Sequence, residues 1–263
     1  MDKITIIGSG NVATHLAMAF KNKGIKILQI YSRQYSNAEN LAKRVNAEAI
    51  SELSKIDDTS DFYFITVSDK AIPDVVSKIP TVSGIVLHTA GCVPISVLNK
   101  FQQFGSFYPL QTFTKGIELD FSKIPVFIEG NTEKTAQNII HFSSSLLNCR
   151  METISSEKRA ILHLAAVFAN NFVNHLYTIS QQILEDTGLS FDCIKPLIEE
   201  TVRKSCIMNP YHAQTGPARR NDVEVMQLHQ NKLCGKERIS EIYGLISESI
   251  TDMYNHNNSK DGH

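Results

Sequence analysis

The sequence predicts an α/β fold: a doubly wound, mostly parallel sheet over residues 1–154, an all-α domain over 155–254, and a disordered polar tail at 255–263. Three observations carry this. Short apolar, β-branched runs alternate with amphipathic helical stretches through the first half. A glycine turn joins the first run to the first helix. From Ser156 onward strand-like runs stop, and apolar residues recur at helical spacing.

Lys3-Ile4-Thr5-Ile6-Ile7 has the composition of a strand buried on both faces. Gly8-Ser9-Gly10-Asn11-Val12-Ala13 follows at once. Val12, Leu16, Ala19 and Phe20 then share one helical face, and Gly24 stands where a C-terminal cap belongs. Residues 27–31 make a second strand. A helix over 37–45 and a strand over 47–50 come next, then a strand over 61–67 closed by Ser68-Asp69. A helix over 72–79 leads to a strand over 85–88. Further strands fit 106–108, 126–129 and 150–154, with a helix over 132–147 between the last two. One long helix starts near Ser155 or Ser156, either of which can cap it, and ends before Gly188. Helices over 192–208, 222–233 and 236–254 complete the chain.

The opening unit fits a dinucleotide. In G-x-G-x-x-A, Gly8 allows the tight turn, Gly10 leaves room for a pyrophosphate, and Ala13 lets helix and strand pack closely. Gly8, Ser9, Gly10, Asn11 and Val12 therefore present main-chain amides at a helix N-terminus, where anions bind. The end of the second strand selects the coenzyme. No carboxylate occurs from Gln29 to Ala38; Ser32 and Arg33 stand there instead. A guanidinium grips a 2′-phosphate that a carboxylate would repel, so the expected cofactor is NADP.

Length and charge narrow the function classes. With 263 residues and a formal net charge of −1, the chain shows no basic face for nucleic acid and no polybasic run for a membrane. No apolar run approaches the roughly 20 residues that span a bilayer. With the first strand expected after two residues, no signal peptide is expected. Five scattered cysteines without a C-x-x-C pair suggest reduced thiols and no metal site. The expected location is the cytoplasm.

Ligands of open α/β sheets lie beyond the strand C-termini. Ser68 and Asp69 are expected beside the cofactor, and Thr89 with Ala90-Gly91 near its nicotinamide. The cofactor supplies hydride, so the protein must supply a proton and a grip on a small-molecule substrate. On the long helix His163 and Asn170 lie seven residues apart, two α-helical turns or about 10 Å along one face. His163 is the expected proton donor and Asn170 the expected substrate anchor; a structural histidine is the rival. In Thr215–Asp222, Arg219 can bind an anionic substrate group, or Asp222 can cap a helix with solvated arginines beside it. The alanine-rich stripe of the long helix can pack against its twin in a homodimer or be covered within one chain.

Together these residues resemble a family. His88-Thr89-Ala90-Gly91, Tyr108-Pro109-Leu110-Gln111-Thr112-Phe113, His163-Leu164-Ala165-Ala166 with Asn170-Asn171, and Thr215–Arg219 join the glycine motif. Over nearly its full length the chain resembles the Rossmann-like NADP-dependent oxidoreductases whose C-terminal half is a helical domain of unknown function. These are related to pyrroline-5-carboxylate reductase, deazaflavin-dependent NADP oxidoreductases and β-hydroxyacid dehydrogenases. The resemblance implies redox chemistry on a C=O or C=N bond; Gln111, beyond the strand end at Tyr108, is an expected substrate contact. The chain departs from the family in two places. Tyr108 replaces a usual histidine, and His163 followed by Val167 does not match the lysine–asparagine pair of the hydroxyacid enzymes. A non-catalytic dinucleotide sensor or assembly protein, and deazaflavin–NADP hydride transfer, are the alternative readings.

Overall fold

The computed structural model describes residues 2–255. Its packing divides into two compact units, residues 1–170 and 171–263. The tail expected at 255–263 lies outside the described residues, apart from the backbone of Asn255.

The first unit is built on one eight-stranded sheet. Its strands are β1 (Lys3–Ile7), β2 (Lys26–Tyr31), β3 (Glu48–Ile50), β4 (Phe62–Ile65), β5 (Ile85–His88), β6 (Phe104–Pro109), β7 (Val126–Gly130) and β8 (Met151–Thr153). They lie in the order β3-β2-β1-β4-β5-β6-β7-β8. Every neighbouring pair is parallel except β6 and β7. That exception follows from the connection: residues 110–125 contain no crossover helix, so the chain returns antiparallel. The sheet is thus the doubly wound, mostly parallel one the sequence predicts.

Helices α1 (Asn11–Asn22), α2 (Tyr35–Val45), α3 (Ile72–Lys78) and α4 (Glu133–Leu147) cover the sheet. Strand alternation sorts two cores. Ile4, Ile6, Phe62, Phe64 and Phe107 pack with Leu16 and Phe20 of α1, Leu41 of α2 and Phe142 of α4. Ile7, Tyr63, Ile65 and Val86 pack with Val75 and Val76 of α3 and with Leu98. Successive strand residues point to opposite faces, so Phe64 and Ile65 serve different cores. The strand order reverses between β1 and β4, and the crevice at their C-terminal ends is where such sheets bind ligands.

The long predicted helix differs from expectation. It runs as α5 (Ser156–Ala166), a π-wound stretch over Val167–Phe172, and α6 (Val173–Glu185). Ser155 caps it by accepting from the Lys158 amide, and Gly188 turns at φ +73° beyond its end. The second unit, described by itself, contains α6, α7 (Lys195–Ile207), α8 (Pro210–Ala213), α9 (Val223–Lys232) and α10 (Glu237–Asn255). It contains no strand among the described residues. The sequence pattern changes near residue 155, while packing divides the chain at 170/171.

Candidate active site

Gly8 occupies φ +138°, and a Cβ there would lie 2.3 Å from the Thr66 hydroxyl. Only glycine lets the end of β1 pass this close to β4. Gly10 differs: a Cβ there would meet nothing within 4 Å. Its space opens outward, next to the N-terminus of α1. No side chain caps that helix, and among the described residues the amides of Asn11, Val12 and Ala13 have no acceptor. Three free N–H groups beside an open glycine are what a pyrophosphate requires.

At the end of β2, the Ser9 hydroxyl donates to the Ser32 hydroxyl at 3.0 Å, tying the glycine turn to the ribose side of the crevice. Arg33 follows, exposed and engaged with no described residue. The turn is also tied to a third segment. Asn11 Nδ2 donates to the Phe113 carbonyl at 2.7 Å, and His15 Nε2 lies 2.9 Å from the Thr114 carbonyl. The segment after β6 therefore lies against the start of α1. Gln111 is exposed there, its Oε1 accepting from the Thr112 amide at 2.8 Å. The residues present thus fit a dinucleotide with a 2′-phosphate. Gly8–Val12 would hold the pyrophosphate, and Ser32 and Arg33 the adenosine side.

Ser68 and Asp69 are exposed at the end of β4. Thr89 follows β5, half-buried, with its amide donating to the Ile65 carbonyl at 3.2 Å. Tyr108, on β6, is buried, and its hydroxyl lies 2.8 Å from Nδ1 of His163 on α5. Burial first, then the nearby Cys92 and Asp69, push the Tyr108 phenol up to about 12. The segment after β5, strand β6 and one face of α5 thus meet at His163.

A buried network fixes α5 against the sheet. Arg159 is fully buried; its guanidinium pairs with Glu129 and donates to the Ser106 hydroxyl at 2.7 Å and the Val93 carbonyl at 2.5 Å. Glu129 also accepts from the Ser156 amide at 2.9 Å and the Ser156 hydroxyl at 2.7 Å. A carboxylate at a helix N-terminus is favourably placed. His88, also fully buried, accepts the Ala90 amide on Nδ1 at 3.2 Å, while its Nε2 finds no partner. Burial, helped by the Arg159 charge, lowers the His88 imidazole to about 3.

Sequence reasoning missed Tyr108 as a partner of His163, and it missed Arg159 and Glu129. The last pair carries little signal in sequence: Arg159 stands in the polar first turn Ser156-Glu157-Lys158-Arg159, and Glu129 lies near the end of a strand. Asn170 is exposed and lies in the π-wound stretch. Pairing it with His163 on one face assumed α-helical winding throughout. A π turn holds an extra residue, so that seven-residue rule does not apply between them. In the second unit Arg219 donates to the Gln214 carbonyl, and its guanidinium lies 5.2 Å from the centre of the Tyr254 ring. Asp222 caps α9 by accepting the Val225 amide at 3.2 Å.

Among the described residues no group of His, Cys, Asp and Glu is arranged to hold a metal ion, and no helix is long and apolar enough to cross a membrane.

Residues 3–91 match the family of coenzyme F420-dependent NADP oxidoreductases, and residues 124–250 match a domain of unknown function, DUF2520. A Bacteroides fragilis protein provisionally named an NADP oxidoreductase is 38% identical. The match covers 95% of this chain and 98% of that one, with a TM-score of 0.87. An Aspergillus terreus reductive aminase, solved with NADPH and ethyl levulinate, gives a TM-score of 0.75 at 12% identity, covering 97% of this chain and 95% of its own. A Streptococcus pyogenes 1-pyrroline-5-carboxylate reductase gives 0.64 at 13%, covering 95% and 98%. These last two share the fold. No curated protein matches the chain in sequence.

Proposed function

Since the chain belongs to the family of NADP oxidoreductases that join this dinucleotide domain to the C-terminal domain of unknown function, we propose that it moves hydride between NADP(H) and a small-molecule C=O or C=N group. The observation that carries the reading is the set of free amides at α1, open at Gly10, with Ser32 and Arg33 at the end of the neighbouring strand. When bound, NADPH supplies the hydride. Gly8–Val12 hold its pyrophosphate, and Arg33 holds the 2′-phosphate.

His163 donates a proton from its ring to the substrate's oxygen or nitrogen; Thr89 and Asp69 flank the same strand ends. An imidazole suits this work because its ordinary pKa lies near neutral pH. Asn170 and Gln111 are the proposed substrate contacts, and Arg219 of the second unit is proposed separately to bind an anionic group. That relatives of the same fold reduce pyrroline-5-carboxylate or aminate carbonyls supports a C=O or C=N substrate.

Titration calorimetry tests the coenzyme. NADPH should bind more tightly than NADH, and Arg33→Ala should weaken NADPH about tenfold to a hundredfold, the value of a charge-assisted hydrogen bond, with NADH little changed. Equal losses for both coenzymes would reject Arg33 as the phosphate grip. His163→Ala should abolish turnover of a carbonyl and imine panel while NADPH affinity stays; full turnover would remove His163 from the chemistry.

One observation favours a second reading. The family matched by residues 3–91 is named for coenzyme F420, so a deazaflavin can be the hydride partner of NADP. Mixing NADPH with an oxidised deazaflavin and following its absorbance decides between the two.

We also propose a homodimer through the helical unit. Leu197 and Val202 of α7 and Leu245 of α10 are more than half exposed, apolar side chains that a second copy of the unit would cover.

A further inference from the structure

Resting on the reading of His163 as proton donor, we propose that Tyr108 is the positioning residue of the reaction: its hydroxyl, 2.8 Å from Nδ1, holds the ring in one orientation and reserves Nε2 for proton exchange with the substrate. A histidine on a helix turns about two side-chain bonds and can carry its proton on either nitrogen. Here neighbours remove both freedoms. The Tyr108 ring meets the imidazole edge-on, 6.0 Å between centroids at 74°. On another side Gly91 approaches so closely that a Cβ there would lie 2.5 Å from Cγ and 2.6 Å from Nδ1 of His163. The turn bearing Gly91 is held in turn by the Ala90 amide on His88. One helical turn before His163, Arg159 fastens α5 to the sheet.

The phenol keeps its proton, being pushed up to about 12. Among the described residues its hydroxyl has no acceptor other than His163, so on the neutral ring the O–H donates to Nδ1 and the ring proton sits on Nε2. On the imidazolium the roles reverse, and Nδ1–H donates to the phenol oxygen. A hydroxyl does both, so the contact outlasts the change of charge. In the reducing direction the Nε2–H bond of the imidazolium breaks and its electron pair stays on the ring. The proton joins the substrate's oxygen or nitrogen as hydride from NADPH reaches the adjacent carbon. The C=O or C=N bond is reduced, NADPH is oxidised, the ring is left with its remaining proton on Nδ1 and donated to the phenol oxygen, and solvent returns a proton to Nε2 to restore the imidazolium.

The test is nitrogen NMR of histidine-labelled protein without coenzyme, comparing wild type, Tyr108→Phe and Gly91→Ala, with NADPH affinity as the check on folding. In the wild type the neutral His163 ring should be a single Nε2–H form. Tyr108→Phe should give a mixture of forms, with NADPH affinity unchanged. With the cyclic imine 1-pyrroline as probe, kcat should fall about tenfold to a hundredfold while KM holds, the value of one hydrogen bond to a charged group. Gly91→Ala, which displaces the ring and leaves the phenol, should lower kcat likewise. An unchanged ring form in Tyr108→Phe overturns the proposal, and so does an altered ring with undiminished kcat. Full kcat in His163→Ala is distinguishable from both: it removes the proton-donor reading, and Tyr108 then has no reaction to position.

Discussion

His88 shows burial deciding a protonation state. With no exposure and Arg159 nearby, it is held neutral down to about pH 3, whereas in the unfolded chain it titrates near 6.5. Between those values the unfolded chain binds the extra proton. Stability therefore rises with pH across this window and falls as pH drops through it, by up to about 1.4 kcal/mol per pH unit. Above about 6.5 the residue contributes no pH dependence. Denaturant unfolding from pH 7 to 4 should show that slope reduced in His88→Gln; equal slopes would mean that His88 is hydrated in the folded state. The same scale explains why Gly8 and Gly10 are not alike. Gly8 is required by Thr66 within the protein, whereas Gly10 is required by nothing the protein itself places there. The open space at Gly10 is what the proposed coenzyme would fill.

At the scale of elements, α5 is placed by its charges. Glu129 from β7 binds its first turn and pairs with Arg159, which reaches Ser106 on β6. Removing one partner of a buried pair strands the other charge, at a cost of about 3–5 kcal/mol. Glu129→Ala should lower the unfolding free energy of the first unit by that amount, read from the denaturant midpoint at unchanged slope. A loss below about 1 kcal/mol would show that Arg159 finds water or another acceptor. The glycine turn, its helix and the alternation of strands are legible in sequence because each rests on neighbours a few residues apart. The π-wound stretch at Val167–Phe172 is not, since Phe, Ala and Asn there carry no local signal against α-helical winding. Nor is the antiparallel β7, whose direction depends on what residues 110–125 fail to form.

For the whole molecule, the two units differ in how well they cover themselves. The first has two extensive cores around one sheet. In the second, Ile179, Ala218, Leu233 and Tyr254 are buried, while Leu189, Leu197, Ile207, Leu228 and Leu245 are more than half exposed. An apolar cavity of about 390 Å³ remains among Ile179, Ile183, Ile242, Ile246 and Ile250. Sedimentation at micromolar concentration should show a dimer that Leu197→Asp with Leu245→Asp converts to monomer. A wild-type monomer of full helicity would remove the second copy from the account. Thr215–Asp222 belongs to this unit's own structure. Thr251 donates to the Ala218 carbonyl, and Arg219 stacks on Tyr254, which itself stacks on Tyr211.

By itself the sequence determined the α/β class, the opening strand–turn–helix and the coenzyme expected at Ser32-Arg33. Hydrophobic periodicity and turn chemistry act over a few residues and are written in order along the chain. Only the tertiary structure decided that Tyr108 meets His163 across 55 positions and that Glu129 meets Arg159 across 30. Such pairs depend on which strand ends and helix faces packing brings together. A tyrosine in a strand looks the same in sequence whether its hydroxyl faces water, backbone or an imidazole.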